Sequence, residues 1–387
     1  EAPDYGHETT SEAMSYIVWM AAMRDNIVNK GIVDGAGSKG DLAKAWKTME
    51  VMIPEFQTGF MKNNNLSAQY SEEHDTPEEY PTPQSSSNTG KNPIHSQFTQ
   101  VYSSDNGLYL MHWLADVDDW YGYGGGSGKF TFINTFQRGA QESCWETVPH
   151  GCIEKLEYGM KDTRGVKGVF STEDKVTPQW SYTNAPDAED RAIQAVYAAK
   201  RWGVADKDTL SKAGKMGDQL RNNMFDKYYK KIGCQDPNSP SANGYDSAHY
   251  LMAWYTSWGG ALDGMWAWQI GASHCHEFYQ NPLAAYALIA DPDLKAGMKV
   301  GEDAVRDYEK SLQRQLEFYL WLQSEDGPIA GGASTSWHGR YLPYEYISPA
   351  DDEYIAKYGT KTPTKFYDMA YQEHPVYADP GSNHWTG

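Results

Sequence analysis

Between Ala13 and Met23 the chain reads AMSYIVWMAAM, so hydrophobic residues occupy every side of one helical segment rather than a stripe. That pattern predicts a buried helix. Just before it, Thr9 and Glu12 have the spacing of a capping box, in which hydroxyl and carboxylate each satisfy an orphan N–H at a helix start. Farther on, the pattern narrows to a single face. Leu42, Trp46, Met49 and Ile53 recur at helical intervals behind Asp41 and predict an outer helix capped by that aspartate. Asp190 to Trp202 and Gly301 to Leu322 carry longer apolar stripes of helical period, whereas Ser257 to Tyr279 mixes apolar with site-like residues. Strand signals are thin, the best being Lys129 to Asn134 (KFTFIN). The alternation of buried and one-faced helices predicts stacked or concentric helices with minor short strands, and argues against a sandwich or a doubly wound sheet.

Two stretches break the pattern. Asn63 to Asn92 is rich in Asn, Ser, Pro and Glu, and Arg340 to Lys365 is similarly polar and proline-dotted. Both predict long surface loops, either covers over a binding cleft or disordered segments. No internal repeat and no shift in composition forces a domain boundary, so residues 1–387 read as one domain.

Composition narrows the partners. A net charge of −19 excludes nucleic acid and anionic membrane as natural ligands, since phosphate recognition needs clustered Lys and Arg. With 28 Tyr and 14 Trp in a chain of mean hydropathy −0.70, the aromatics exceed what a polar protein needs, and suggest surfaces that stack on sugar rings. Filling the core of a large helical protein is the simpler use for many of them. Cys144, Cys152, Cys234 and Cys275 form no metal or redox motif; Cys144 and Cys152 are close enough in sequence to bridge, or stand as buried thiols. No stretch approaches a membrane span, no leader peptide is visible at Glu1, and the chain starts inside what reads as a structured motif, so its natural N-terminus is expected upstream. A sequon at Asn65-Leu66-Ser67 suits a surface loop of a secreted, extracellular protein.

Hydrolysis of a glycosidic bond needs one carboxylic acid at the leaving oxygen and one carboxylate on the opposite face. EAPDYGHETTSE places several carboxylates on the run-in to the apolar helix. Glu12 is either a cap or, if desolvated by that helix, an acid that keeps its proton at neutral pH. Asp187, in QWSYTNAPDAEDRA beside Trp180 and Tyr182, follows Pro186 at a natural helix start whose N–H groups would keep it ionised. In MHWLADVDDWYGYGGG, Asp116, Asp118 and Asp119 alternate with Trp113, Trp120 and Tyr121 ahead of glycines that lack phosphate-loop spacing, which suits a sugar-cleft wall. Gln141 and Glu146 of QESCWE reach one calcium ion only if the backbone bends between them; read alone they are a solvated helix face. His274-Cys275-His276-Glu277 lacks zinc-ligand spacing.

These segments, EAPDYGHETTSEA, LYLMHWLADVDDWYGYG, INTFQRGAQESCWETVPH, WSYTNAPDAEDRAIQA, SWGGALDGMWAWQIGASHCHEFYQNPLAAYAL, GGASTSWHGRY and HPVYADPGSNHW, resemble the catalytic domain of glycoside hydrolase family 48. The resemblance runs from the first residue to the last. It implies an (α/α)6 barrel and an inverting, processive, reducing-end cellobiohydrolase. Glu12 would be the acid, Asp187 the base, and Glu1 and Tyr377 would lie near the cleavage point. It also implies a structural calcium held by Gln141, Glu146 and Asp379, and a tunnel in which Trp113, Trp120, Trp258, Trp266, Trp268 and Trp337 stack on the cellulose chain. Inversion requires room for a water, hence carboxyl groups about 6.5–9.5 Å apart. A monomer with an appended binding or dockerin module elsewhere is the expected assembly. The family's domain is longer than this chain, so the barrel is expected to be incomplete. Gln269 stands where the family usually has arginine, Asp119 where it has asparagine, and the loop from Arg340 to Lys365 is longer than usual. Chitin hydrolysis, or saccharide binding without catalysis, are the alternatives left open.

Overall fold

A computed structural model describes residues 6–62, 67–71, 84–85, 90–137, 147–156, 177–232, 244–271, 280–323, 332–334 and 364–374, apart from a few positions within these ranges. Among them lie helices α1 (Ser11–Asn29), α2 (Asp41–Met49), α3 (His95–Tyr102), α4 (Pro186–Arg201), α5 (Lys207–Leu220), α6 (Pro282–Ala290), α7 (Pro292–Gly297) and α8 (Glu302–Trp321). The strands are β1 (Glu8–Thr10), β2 (Ser67–Ala68), β3 (Tyr70–Ser71), β4 (Gln84–Ser85), β5 (Leu114–Asp116), β6 (Thr131–Gln137), β7 (Thr147–Gly151), β8 (Ile153–Leu156), β9 (Thr177–Asn184), β10 (Thr256–Ala261), β11 (Ala267–Gly271), β12 (Gly332–Ser334), β13 (Thr364–Phe366) and β14 (Met369–His374). The expected helices at 41–53, 190–202 and 301–322 are present, with α4 starting earlier, at Pro186. The strand expected at KFTFIN is β6. Strands are more numerous than the sequence suggested, and the described part of Ser257 to Tyr279, read only as a mix of apolar and site-like residues, contributes β10 and β11.

Helix α4 is the centre of the helical part, packed on α1, α5 and α6. Its start uses Pro at the first helical position, where the missing N–H costs nothing, and Lys200 and Arg201 complement the dipole at its end. Ala188, Ala192, Ala195 and Ala199 are all buried, and these short side chains let the neighbouring helices close in. The approach is tighter still between α5 and α7: a Cβ built on Gly214 would stand 2.3 Å from the Leu294 carbonyl oxygen. Beside the helices lie a four-stranded sheet, β1-β5-β6-β7, and a five-stranded sheet, β2-β11-β10-β9-β8. One apolar cluster runs through both parts and takes in Trp46, Trp180, Tyr182, Trp258 and Trp268.

The expectation that α1 is buried on all sides does not hold. Val18, Ala22 and Asp25 face α2 and α4, while the opposite stripe is open, with Tyr16 55% and Met20 70% exposed alongside Ile17 and Met23. The cap of α2 also differs from the expectation. Gly40 precedes the helix at φ 120°, and the carboxylate that satisfies the helix start comes from α1 rather than from Asp41. Buried Asp25 accepts the N–H groups of Gly40 (3.0 Å), Asp41 (3.1 Å) and Leu42 (2.9 Å). One charge thus answers several orphan donors and ties the two helices together. Replacing Asp25 with Ala is expected to cost roughly 2–4 kcal/mol in urea unfolding, because buried N–H groups are left without acceptors, whereas Asp25→Asn keeps one acceptor and loses less. An Asp25→Ala loss below about 0.5 kcal/mol would contradict this account.

Candidate active site

The two acids picked out from the sequence come together at one junction. β1 pairs antiparallel with β5, Thr10 opposite Leu114, and α1 begins at the next residue. β9 ends at Asn184, two residues before α4. Between these two helix starts lies the backbone of Trp113: its carbonyl accepts Ser11 N–H (2.9 Å) and its N–H donates to the Thr183 carbonyl (2.9 Å). Glu12 and Asp187 each occupy the second residue of their helix, α1 and α4. Neither is the cap. Thr10, not Thr9, caps α1, its hydroxyl accepting Ala13 N–H (3.2 Å), so the capping box does not form and the Glu12 carboxyl is left for other work.

The environments of the two acids are the reverse of those expected. Glu12 is exposed, so the apolar helix does not desolvate it. Asp187 is buried, and its carboxyl is pushed up to about 7, first by desolvation and then by the Glu12 charge, against the pull of Arg191. Position near the helix start is therefore outweighed by burial and by a like charge. The Glu12 and Asp187 carboxyls lie within hydrogen-bonding reach of each other, closer than the water-wide spacing expected from the resemblance. Asp187 Oδ2 also accepts from Arg191 Nη2 at 3.0 Å.

Behind Asp187 the first turn of α4 carries two more buried acids. Glu189 Oε1 accepts the Met111 N–H and the Asn184 side-chain amide, both at 2.6 Å, fixing the strand end before α4; burial nonetheless pushes its carboxyl up. Asp190 is fully enclosed with neither oxygen hydrogen-bonded, and burial followed by the Asp187 charge drives it toward the protonated form. Glu189, Asp190, Arg191 and Ser15 join the site without being marked by any motif of their own in the sequence. Arg191 had one legible signal, its helical i, i+4 spacing from Asp187.

The aromatic candidates divide. Trp113 is half-buried at the junction itself. Trp120 is 61% exposed, with one face stacked on the His7 ring (4.2 Å between centroids, 16° between planes), and His7 Nδ1 lies 3.0 Å from the Asp118 carboxylate. The loop that presents Trp120 is held by buried acids: Asp116 accepts the N–H groups of Trp120 (2.9 Å) and Tyr121 (2.8 Å), and Asp119 accepts that of Gly124 (2.7 Å). Burial opposes ionisation of Asp119, but the N–H groups of Gly124 and Ser127 win and hold its carboxyl below the usual range. Trp258 and Trp268 are enclosed in the core and offer no face to a ligand; Trp258 stacks on Tyr182 at 5.1 Å, and Trp268 lies so close over Gly259 that a Cβ there would meet the indole at 2.2 Å. Trp180 and Tyr182 are likewise core rather than site walls. Gln269 is buried too, accepting from the Asn92 amide (2.8 Å), so its departure from arginine falls in an interior amide network. Cys152 is buried with its sulfur 3.7 Å from His112 Nε2.

Glu1, Tyr377, Trp266 and Trp337 lie outside the described residues, as do the proposed calcium ligands Gln141, Glu146 and Asp379, and Cys144, Cys234 and Cys275. Among the described residues no group of three or more His, Cys, Asp or Glu side chains is arranged to hold a metal, and no helix is long and apolar enough to cross a membrane.

A buried and an exposed carboxyl facing each other at two helix starts can share or exchange a proton. In comparison with known proteins, residues 1–387 match the profile of Glycosyl hydrolase family 48. The chain belongs to that family. It is 49% identical over 399 residues to the cellulose 1,4-beta-cellobiosidase (reducing end) CelS of Acetivibrio thermocellus, a match covering all of this chain and 49% of that protein. It is 46% identical over 403 residues to endoglucanase F of Ruminiclostridium cellulolyticum, covering all of this chain and 51% of the relative. Exoglucanase-2 of Thermoclostridium stercorarium is 44% identical over 403 residues, with 100% and 40% covered. The chain thus spans about half the length of the curated relatives it matches.

The Asp187 shift has a sign that can be tested. Its folded value, about 7, lies above the ordinary 3.8, so the folded protein holds this proton more tightly than the unfolded chain. The associated stability is present in full below the ordinary value and is lost as pH rises through about 7. Asp187→Asn removes the titration. The stability of the variant relative to the parent is expected to rise between pH 4 and pH 8 by on the order of 4 kcal/mol in parallel denaturant titrations. A difference independent of pH would contradict the assigned burial.

Proposed function

We propose that this chain is part of a single catalytic domain, an (α/α)6 barrel, that hydrolyses β-1,4-glucosidic bonds of cellulose with inversion and releases cellobiose processively from reducing ends. The observation that carries the reading is the Glu12–Asp187 pair at adjoining helix starts, in a chain 49% identical to a reducing-end cellobiosidase. Glu12, exposed at the start of α1, donates its proton to the departing glycosidic oxygen. Asp187 takes a proton from the attacking water, and a carboxyl whose value lies near 7 is matched to that task at neutral pH. Water must enter between the two groups. The exposed Glu12 side chain has the rotational freedom to open that gap, while Asp187 is held by Arg191.

After one inverting turnover the extra proton sits on Asp187 and Glu12 is ionised. The contact between the two carboxyls offers the direct route by which Glu12 recovers it, so the closed spacing suits the resting enzyme and the open spacing the reacting one. Trp113 and Trp120 serve as stacking surfaces for glucose rings. Gln141, Glu146 and Asp379 supply hard oxygen donors suited to a calcium ion, which would brace the fold and takes no part in the proton transfers. Secretion to the extracellular space follows from an insoluble polymer substrate.

Glu12→Gln is expected to lower cellobiose release from cellulose by about 10²–10⁴-fold while leaving cellulose binding intact. Product chromatography with cellulose and chitin supplied in parallel reads activity and polymer choice together. Undiminished release by Glu12→Gln would remove Glu12 from its role, and soluble product from chitin alone would overturn the substrate.

A further inference from the structure

We propose that Arg191 is the positioning residue that fixes Asp187 against the acid-bearing helix. The proposal rests on the reading of Asp187 as the base. Arg191 stands one turn after Asp187 on α4 and uses both ends of its guanidinium: Nη2 donates to Asp187 Oδ2 and Nη1 donates to Ser15 Oγ, each at 3.0 Å. Ser15 is buried on α1, and its hydroxyl in turn donates to the Glu12 carbonyl at 2.7 Å. An unbroken series of hydrogen bonds therefore runs from the base, through Arg191 and Ser15, to the backbone of the acid. The guanidinium also lies over the Tyr16 ring, 4.6 Å from its centroid, which leaves it little freedom to turn. With the Trp113 backbone between the helix starts, this forms a second, independent tie between α1 and α4.

The charge of Arg191 acts on the same atom that its geometry holds. The groups around Asp187 are Glu12 and Tyr16 on α1 and Glu189, Asp190 and Arg191 on α4, and Arg191 is the cation that opposes the upward shift of Asp187. A planar, two-handed donor is required for this arrangement. Lysine supplies the charge but cannot hold Asp187 and Ser15 together while stacking on Tyr16.

The test compares Arg191→Met, Arg191→Lys and Ser15→Ala by kcat, KM and the pH profile on soluble cello-oligosaccharides, with the Asp187 carboxyl followed by 13C NMR titration in the absence of substrate. Arg191→Met is expected to lower kcat by about 10²-fold with KM within about threefold, and to move both the acidic limb of kcat/KM and the NMR titration of Asp187 upward by about one pH unit. Arg191→Lys is expected to restore the titration but not kcat, and Ser15→Ala to lower kcat without moving the limb. An Arg191→Met enzyme that melts earlier but keeps kcat, limb and NMR titration unchanged would show a purely structural tie and overturn the proposal. Failure of the underlying reading looks different: Asp187→Asn would then retain activity and the acidic limb, whatever the Arg191 variants do.

Discussion

The backbone of Trp113 is the constraint on which the site depends. It accepts from the first residue of α1 on one side and donates to the strand leading to α4 on the other. Two helices that begin at the same support present their second residues to the same space, and both of those residues are carboxylic acids. The surrounding elements keep that support in place. β1 and β5 align the run-in to α1, the Asn184–Glu189–Met111 hydrogen bonds fix the run-in to α4, and α4 itself is packed on α1, α5 and α6.

Given that frame, burial rather than helix position decides how the two acids differ. A carboxyl at a helix start is ordinarily favoured as the anion, by a fraction of a kcal/mol to about 1 kcal/mol. Enclosure and a neighbouring negative charge act in the opposite direction, and at Asp187 they prevail over both the helix and Arg191. At Asp190 and Glu189, enclosed more completely, burial likewise pushes the carboxyl up. The first turn of α4 is therefore a place where protons are retained; the Arg191 charge opposes this at both Asp187 and Asp190, and Asp187 is also hydrogen-bonded to it.

Much of this could be read from the residues. Leu42, Trp46 and Met49 face inward on α2 as their spacing demands, and Glu12 and Asp187 meet although 175 positions separate them, a match carried by the motifs of the family resemblance rather than by periodicity. What escaped has physical causes. An apolar run such as AMSYIVWMAAM states that a helix can be buried but not which faces its neighbours cover. Tryptophans in a sugar-handling chain look alike in sequence, yet Trp258 and Trp268 lie on adjacent inner strands and Trp120 on a loop. The capping residue shifted by one, from Thr9 to Thr10, because β1 continues through Thr10 in register with Leu114. Asp25, Ser15 and Arg191 act across helices, and such partners leave no mark in local spacing.

The open stripe on α1 bears on chemistry as well as packing. Met20 and Met23 lie exposed on it, whereas Met49, Met52, Met61 and Met111 are sealed in the core. Sulfoxide formation follows access, so an oxidant meets those two thioethers before the enclosed ones, adding a polar oxygen where no interior contact is disturbed. The same change in the core would break packing on every side. Oxidation state at Met20 and Met23 thus registers whether that face of the helix is covered, independently of whether the protein remains folded.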